Sequence, residues 1–155
     1  MKSFIFLIIP FILSSCQKEE TTIYLAYLKN TTNHLIKIQP YTSGYIVTEN
    51  IINLSPGEKL EIANGNARGL QNNAGFSSKY FSTADSIVVT YDDLYSISHY
   101  IITPSSLNSK YYLYPSNRNL AQKQSYTYMS ENLSSHSRRN TYNYEFIEQD
   151  FLDTQ

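Results

Sequence analysis

Residues 142–146 read Tyr142-Asn143-Tyr144-Glu145-Phe146, three rings separated by single polar residues. Successive side chains of a strand point to opposite sides of a sheet, so this spacing places all three rings on one face. Working outward, the same two-residue period recurs in Leu35-Ile36-Lys37-Ile38-Gln39 and in Leu60-Glu61-Ile62. Ile87-Val88-Val89-Thr90-Tyr91 is β-branched and aromatic, a composition that packs well on a pleated surface. Ile23-Tyr24-Leu25-Ala26-Tyr27-Leu28 is a nearly continuous apolar run, as expected of a strand covered on both faces.

Turn signals separate these runs. Asn30-Thr31-Thr32-Asn33 follows the first, Pro40-Tyr41-Thr42-Ser43-Gly44 the second, and Thr103-Pro104-Ser105-Ser106 lies further on. Ser55-Pro56-Gly57-Glu58 is the strongest, because Pro presets φ at the second turn position and Gly accepts positive φ at the third. Asp92-Asp93 closes the Val-rich strand. Residues 64–75, rich in Asn and Gly, and the polar stretch 130–140 read as loops or a hairpin end. Helical character is confined to a turn around 148–153. The expected fold is all-β: an antiparallel, Ig-like β-sandwich of about seven strands, forming one domain over residues 23–155.

Composition narrows the chemistry. The chain has 155 residues, and twelve Lys and Arg against thirteen Asp and Glu give no basic excess for a nucleic-acid backbone. One cysteine excludes an intrachain disulfide and a cysteine-clustered zinc site. His34, His99 and His136 lie too far apart in sequence for a local metal motif, and no Gly-x-Ser-x-Gly elbow occurs. The acid pairs Glu58/Glu61 and Asp92/Asp93 flank turns, where carboxylates usually cap backbone or face solvent. No cofactor is expected.

The N-terminus carries the clearest address. Met1-Lys2-Ser3 is followed by an apolar run from Phe4 to Leu13 with Pro10 inside it. Ten helical residues span roughly 15 Å, about half a bilayer core, so this is a secretory leader rather than a spanning helix. Leu13-Ser14-Ser15-Cys16 resembles the lipobox of bacterial lipoproteins. The resemblance implies diacylglycerol on the Cys16 thiol, cleavage that removes residues 1–15, and acylation of the new amino group, all of which hold a protein stably on a membrane. Gln17-Lys18-Glu19-Glu20 is similar to the acidic export tag of Bacteroidota surface lipoproteins. That likeness implies the outer leaflet of the outer membrane, with residues 16–22 as lipidated tether.

The remaining chain resembles small β-sandwich lipoproteins of the Bacteroidota. The matching residues are Asn30-Thr31-Thr32-Asn33, Leu54-Ser55-Pro56-Gly57-Glu58, Asp85-Ser86-Ile87-Val88-Val89, Arg118-Asn119, Tyr142 to Phe146 and Asp150-Phe151. The resemblance implies fold and location and carries no catalytic residues. Asp85-Ser86-Ile87 also matches the O-glycosylation acceptor pattern of exported Bacteroidota proteins, which makes Ser86 a candidate acceptor. The competing reading is that Asp85 satisfies backbone donors while Ser86 begins the strand. Tyr111, Tyr112, Tyr114, Tyr126 and Tyr128 crowd one third of the chain and form a candidate aromatic face for a protein or glycan partner. Ordinary strand packing, with the ring half-buried and the hydroxyl reaching water, is the simpler account of them. The expected role is a non-catalytic binding or accessory module of the cell envelope. The alternative is a small envelope hydrolase, acting on glycan or peptide, whose site assembles only in the fold.

Overall fold

A computed structural model describes residues 19–71, 77–108, 110–113 and 116–155. Among them the chain forms β1 (Thr21–Asn30), β2 (Ile36–Thr42), β3 (Tyr45–Ile46), β4 (Ile52–Leu54), β5 (Lys59–Arg68), β6 (Ser86–Tyr91), β7 (Tyr95–Tyr100), β8 (Tyr111–Tyr112), β9 (Thr127–Ser134), β10 (Ser137–Phe146) and a short helix α1 (Glu148–Leu152). The fold is all-β and sandwich-like. One sheet has the order β5-β1-β10-β9; the other runs β3-β2-β6-β7-β8, with β4 paired to β2.

Both sheets are mixed, which corrects the antiparallel expectation. β1 lies parallel to β10, in the register Ala26↔Tyr142, Leu28↔Tyr144 and Asn30↔Phe146, and β7 lies parallel to β8. The N-terminal strand enters the middle of its sheet, and its parallel neighbour is more than a hundred residues away. Alternation within a strand carries no record of the direction of such a distant partner. The strand count also exceeds seven. Asn64 to Arg68 continue β5 rather than forming a loop, and residues 130–140 are a hairpin end, divided between β9 and β10 about the turn at 135–136. These segments lack an apolar period because they lie at sheet edges or at a hairpin end. The ladder to a neighbouring strand holds them in place.

The core follows the predicted alternation. Tyr142, Tyr144 and Phe146 are buried on one face of β10, and Ala26 and Leu28 lie beside them on β1. Facing them in the cluster are Ile36 and Ile38 of β2, Ile87, Val89 and Tyr91 of β6, and Leu54 of β4. Each such side chain contributes about 1.5–3 kcal/mol on leaving water. The register of β5 against β1 shifts between Ala26 and Tyr27, so Ile62 is the extra residue of a β-bulge and both Ile62 and Ala63 are buried. The Ile23–Leu28 run is only half covered: Ile23, Leu25 and Tyr27 are partly exposed on the outer face. There the Lys59 ammonium sits 4.0 Å from the Tyr27 ring centre.

The turns form where Pro, Gly and Asn predict them. Gly57 has φ +78°, Glu58 N–H donates to Ser55 C=O at 3.0 Å, and Ser55 N–H donates to the Glu58 carboxylate at 2.8 Å. Asn30, fully buried, organises the first turn: its amide donates to the carbonyls of His34 (2.8 Å) and Leu54 (3.1 Å), and its Oδ1 accepts from Thr32 N–H at 2.9 Å.

Candidate functional site

The organised polar chemistry gathers where α1 closes one end of the sandwich. Ile147 N–H donates to Asp150 Oδ2 at 2.9 Å and Asp150 N–H to Ile147 C=O at 2.9 Å, so the acid caps its own helix. Its side chain, 4% exposed, is gripped by Arg118: Nε donates to Oδ1 at 2.8 Å and Nη2 donates to Oδ2. The same Nη2 reaches Glu145 C=O at 2.8 Å, and the guanidinium carbon lies 4.6 Å from the Tyr144 ring centre. Tyr144 Oη donates back to Arg118 C=O at 2.9 Å. A bidentate pair with stacking under the cation is the strong form of ion pair.

The segment carrying Arg118 is tied to the second sheet by buried hydrogen bonds. Asn119 donates to Tyr100 C=O (2.8 Å) and Tyr112 C=O (3.2 Å), and its Oδ1 accepts from Ala121 N–H at 3.0 Å. His99 is buried, and its Nδ1 accepts from Leu120 N–H at 2.9 Å, which places the ring proton on Nε2. Burial pushes this imidazole down to about 3, so it is neutral at physiological pH and acts as a structural acceptor. Tyr112 Oη donates to Asp153 at 2.5 Å, which, after burial, raises the phenol well above its ordinary range.

A second cluster lies on the outer side of α1. His34 Nδ1 is 2.6 Å from Asp92 Oδ2, and Nε2 is 3.2 Å from Glu148 Oε1. The imidazole stacks on Phe151 with centroids 3.7 Å apart and planes inclined by 22°. Asp92 has φ +52° and also accepts Leu35 N–H at 2.8 Å, so the β6–β7 turn is fastened to the start of β2. The hydrogen bond from His34 is the first reason the Asp92 carboxyl falls below, and the imidazole rises above, its usual value. The two acids sit on opposite ring nitrogens and cannot converge on one ion. Among the described residues no group of His, Cys, Asp or Glu could hold a metal.

The structure divides the predicted tyrosine face. Tyr111 and Tyr112 line an open depression of about 630 Å³ with Ile97, Lys110, Leu152 and Asp153. Tyr126 and Tyr128 line another, of about 390 Å³, with Lys123, Gln124 and Tyr142. Tyr126 is buried and donates to Leu120 C=O at 3.0 Å, so its hydroxyl is committed to the fold. Tyr128 packs on Tyr142 with centroids 5.2 Å apart and donates to Asn140 at 3.1 Å. Tyr114 lies outside the described residues, as do Cys16, Gln17 and Lys18.

Glu19 and Glu20 are exposed just ahead of β1, where Gly69 N–H donates to Glu20 C=O at 2.8 Å. Ser86 opens β6, flanked by Tyr41 and Tyr100, and its hydroxyl donates to Asp85 Oδ1 at 2.9 Å. The other Asp85 oxygen accepts Ser43 N–H at 2.6 Å. His136 meets Ser135 at 2.7 Å at the tip of the β9–β10 hairpin. Of the two acid pairs, Glu58 caps Ser55 and Glu61 accepts from Tyr27 (3.4 Å) and Asn64 (3.2 Å). Sequence reasoning missed both clusters around α1. Their charged pairs, His34 with Asp92, His34 with Glu148 and Arg118 with Asp150, are 58, 114 and 32 positions apart, beyond the reach of any local spacing rule.

None of the protein families, characterised proteins or solved structures compared with this chain matches it.

Proposed function

We propose that this protein is a lipid-anchored lipoprotein of the cell envelope, similar to those of the Bacteroidota, with its β-sandwich of Ig-like size serving as a non-catalytic binding or accessory module. The observation that carries the reading is the apolar run 4–13 leading directly into Leu13-Ser14-Ser15-Cys16, the sole cysteine of the chain. Diacylglycerol on that thiol and an acyl chain on the new amino group supply the two hydrophobic attachments that stable anchoring requires. Gln17 to Glu20 then serve as tether and sorting tag toward the outer leaflet.

The start of the fold suits such an anchor. β1 begins at Thr21, whose N–H donates to His136 C=O at 2.9 Å, so the first described strand is pinned from its first residue. The five positions from Cys16 to Thr21 reach at most roughly 17 Å when extended, which keeps this end of the domain near the headgroups. Among the described residues no helix is long and apolar enough to cross a membrane. For binding, the depression lined by Tyr111, Ile97 and Leu152 offers an aromatic and aliphatic floor beside the Lys110 cation, a surface suited to a protein or glycan partner. The organised acids and the imidazoles His34 and His99 around α1 are engaged in holding turns and helix, which favours a binding role over hydrolysis.

Cys16→Ala tests the anchor. The variant should leave the membrane fraction for the soluble one, or retain its uncleaved leader; a variant that is processed normally and stays with the membrane contradicts the proposal.

A further inference from the structure

His34 lies between two carboxylates contributed by different parts of the chain: Asp92 from the β6–β7 turn at 2.6 Å and Glu148 from the first turn of α1 at 3.2 Å. Both contacts are satisfied by hydrogen bonds only when both ring nitrogens carry protons. We propose that His34 is a proton-operated clasp that fastens α1 to the β1–β2 and β6–β7 turns when doubly protonated and releases the Glu148 side when it loses one proton.

The geometry decides which contact survives. Asp92 is nearer, and its second oxygen is fixed by Leu35 N–H at 2.8 Å, so the remaining ring proton stays on Nδ1. Nε2 then presents a lone pair to Glu148 Oε1, and an attractive contact becomes a repulsive one. The Phe151 ring stacked on the imidazole belongs to the same helix, and it also meets Tyr91 and Tyr95 edge-on at 5.7 Å. Loosening α1 therefore bares the side of Tyr91, whose buried hydroxyl has no hydrogen-bond partner among the described residues.

The other charges around the ring do not compete for its proton. Asp93, next in the same turn, points to Lys37 of β2 at 3.9 Å. Asp150 is held by Arg118 and Asp153 by Tyr112. These two contacts tether the Asp150 and Asp153 side chains to the rest of the domain, so the response is a local loosening of the first turn of α1 rather than unfolding. The sign follows from linkage. The imidazole is raised above 6.5 by its bond to Asp92, opposed by burial and supported by Glu148. The clasp is complete below pH 6.5 and opens as pH rises through the raised value.

Amide exchange of the full chain, corrected for intrinsic base catalysis and read at the Asp153 N–H that follows α1 and bonds the C=O of Gln149 in its first turn at 2.9 Å, is the test. Protection at this amide should fall roughly 3- to 10-fold between pH 6 and 9, the worth of one net hydrogen bond. Core amides of β6 should stay unchanged. Glu148→Gln replaces the carboxylate by an amide able to donate to the Nε2 lone pair, and it should flatten the profile while leaving the fold intact. The His34 ring protons, followed by NMR in the unmodified protein, should titrate with a midpoint above 6.5. Uniform protection across the range, a midpoint at or below 6.5, or an equal fall in Glu148→Gln overturns the clasp.

Discussion

Arg118 and Asp150 are each placed so that the other is needed. The acid is nearly buried while the guanidinium is 30% exposed, so removing the acid leaves a cation with partial access to water. Asp150→Ala should therefore cost about 2–4 kcal/mol in denaturant unfolding, below the value for a fully enclosed pair. The paired change Arg118→Met with Asp150→Leu should recover much of that loss, because it removes both charges and keeps the volume. A stability unchanged in Asp150→Ala would show that the pair is decorative. Gly65 shows a different constraint at the same scale. A Cβ added there would lie 2.2 Å from Tyr24 Oη and 2.3 Å from its ring, so the ring must swing out of the way. Gly65→Ala should destabilise by about 1–3 kcal/mol. Adding Tyr24→Ala should erase that specific cost, a coupling that a double-mutant cycle reads directly.

At the scale of elements, β10 carries the heaviest packing load. Tyr144 is 1% exposed, stacks under Arg118, and meets Tyr126 and Phe146 with centroids 5.4 and 5.0 Å away. Tyr144→Ala should cost about 3–5 kcal/mol by thermal or denaturant unfolding. Thr141→Ala, on the opposite and half-exposed face of the same strand, should cost under about 1 kcal/mol. Equal costs on the two faces would contradict the placement of the core.

That strand was legible in the sequence because single-residue alternation is a property of the strand itself. So were the Ser55-Pro56-Gly57-Glu58 turn and the helical turn after Phe146. What was not legible depends on partners far along the chain. The parallel register of β1 on β10 leaves no trace in either strand's own pattern. β9 escaped notice because all eight of its residues are exposed, so burial imposes no period on it. Five tyrosines close in sequence suggested one surface, yet Tyr126 turns inward and donates to Leu120 C=O, while Tyr111 sits on β8 of the other sheet. His34, Asp92 and Glu148 meet because the β1–β2 turn, the β6–β7 turn and the start of α1 converge, which no spacing of residues foretells.

For the whole molecule, the account rests on where the domain is held. In the proposed function, a short tether and a pinned first strand present the sandwich at a membrane surface. Replacing Lys18, Glu19 and Glu20 with neutral residues should move it from protease-accessible to protease-protected in intact cells without altering its unfolding midpoint. Unchanged shaving in that variant would remove the sorting role of the tag and leave the anchor standing. The anchor itself is tested most directly by intact mass of the protein extracted from its native membrane, with sequencing of its N-terminal peptide. The predicted result is a chain that starts at Cys16 and carries a diacylglyceryl thioether and an amide-linked acyl group. A chain that retains residues 1–15 with an unmodified Cys16 thiol would contradict it.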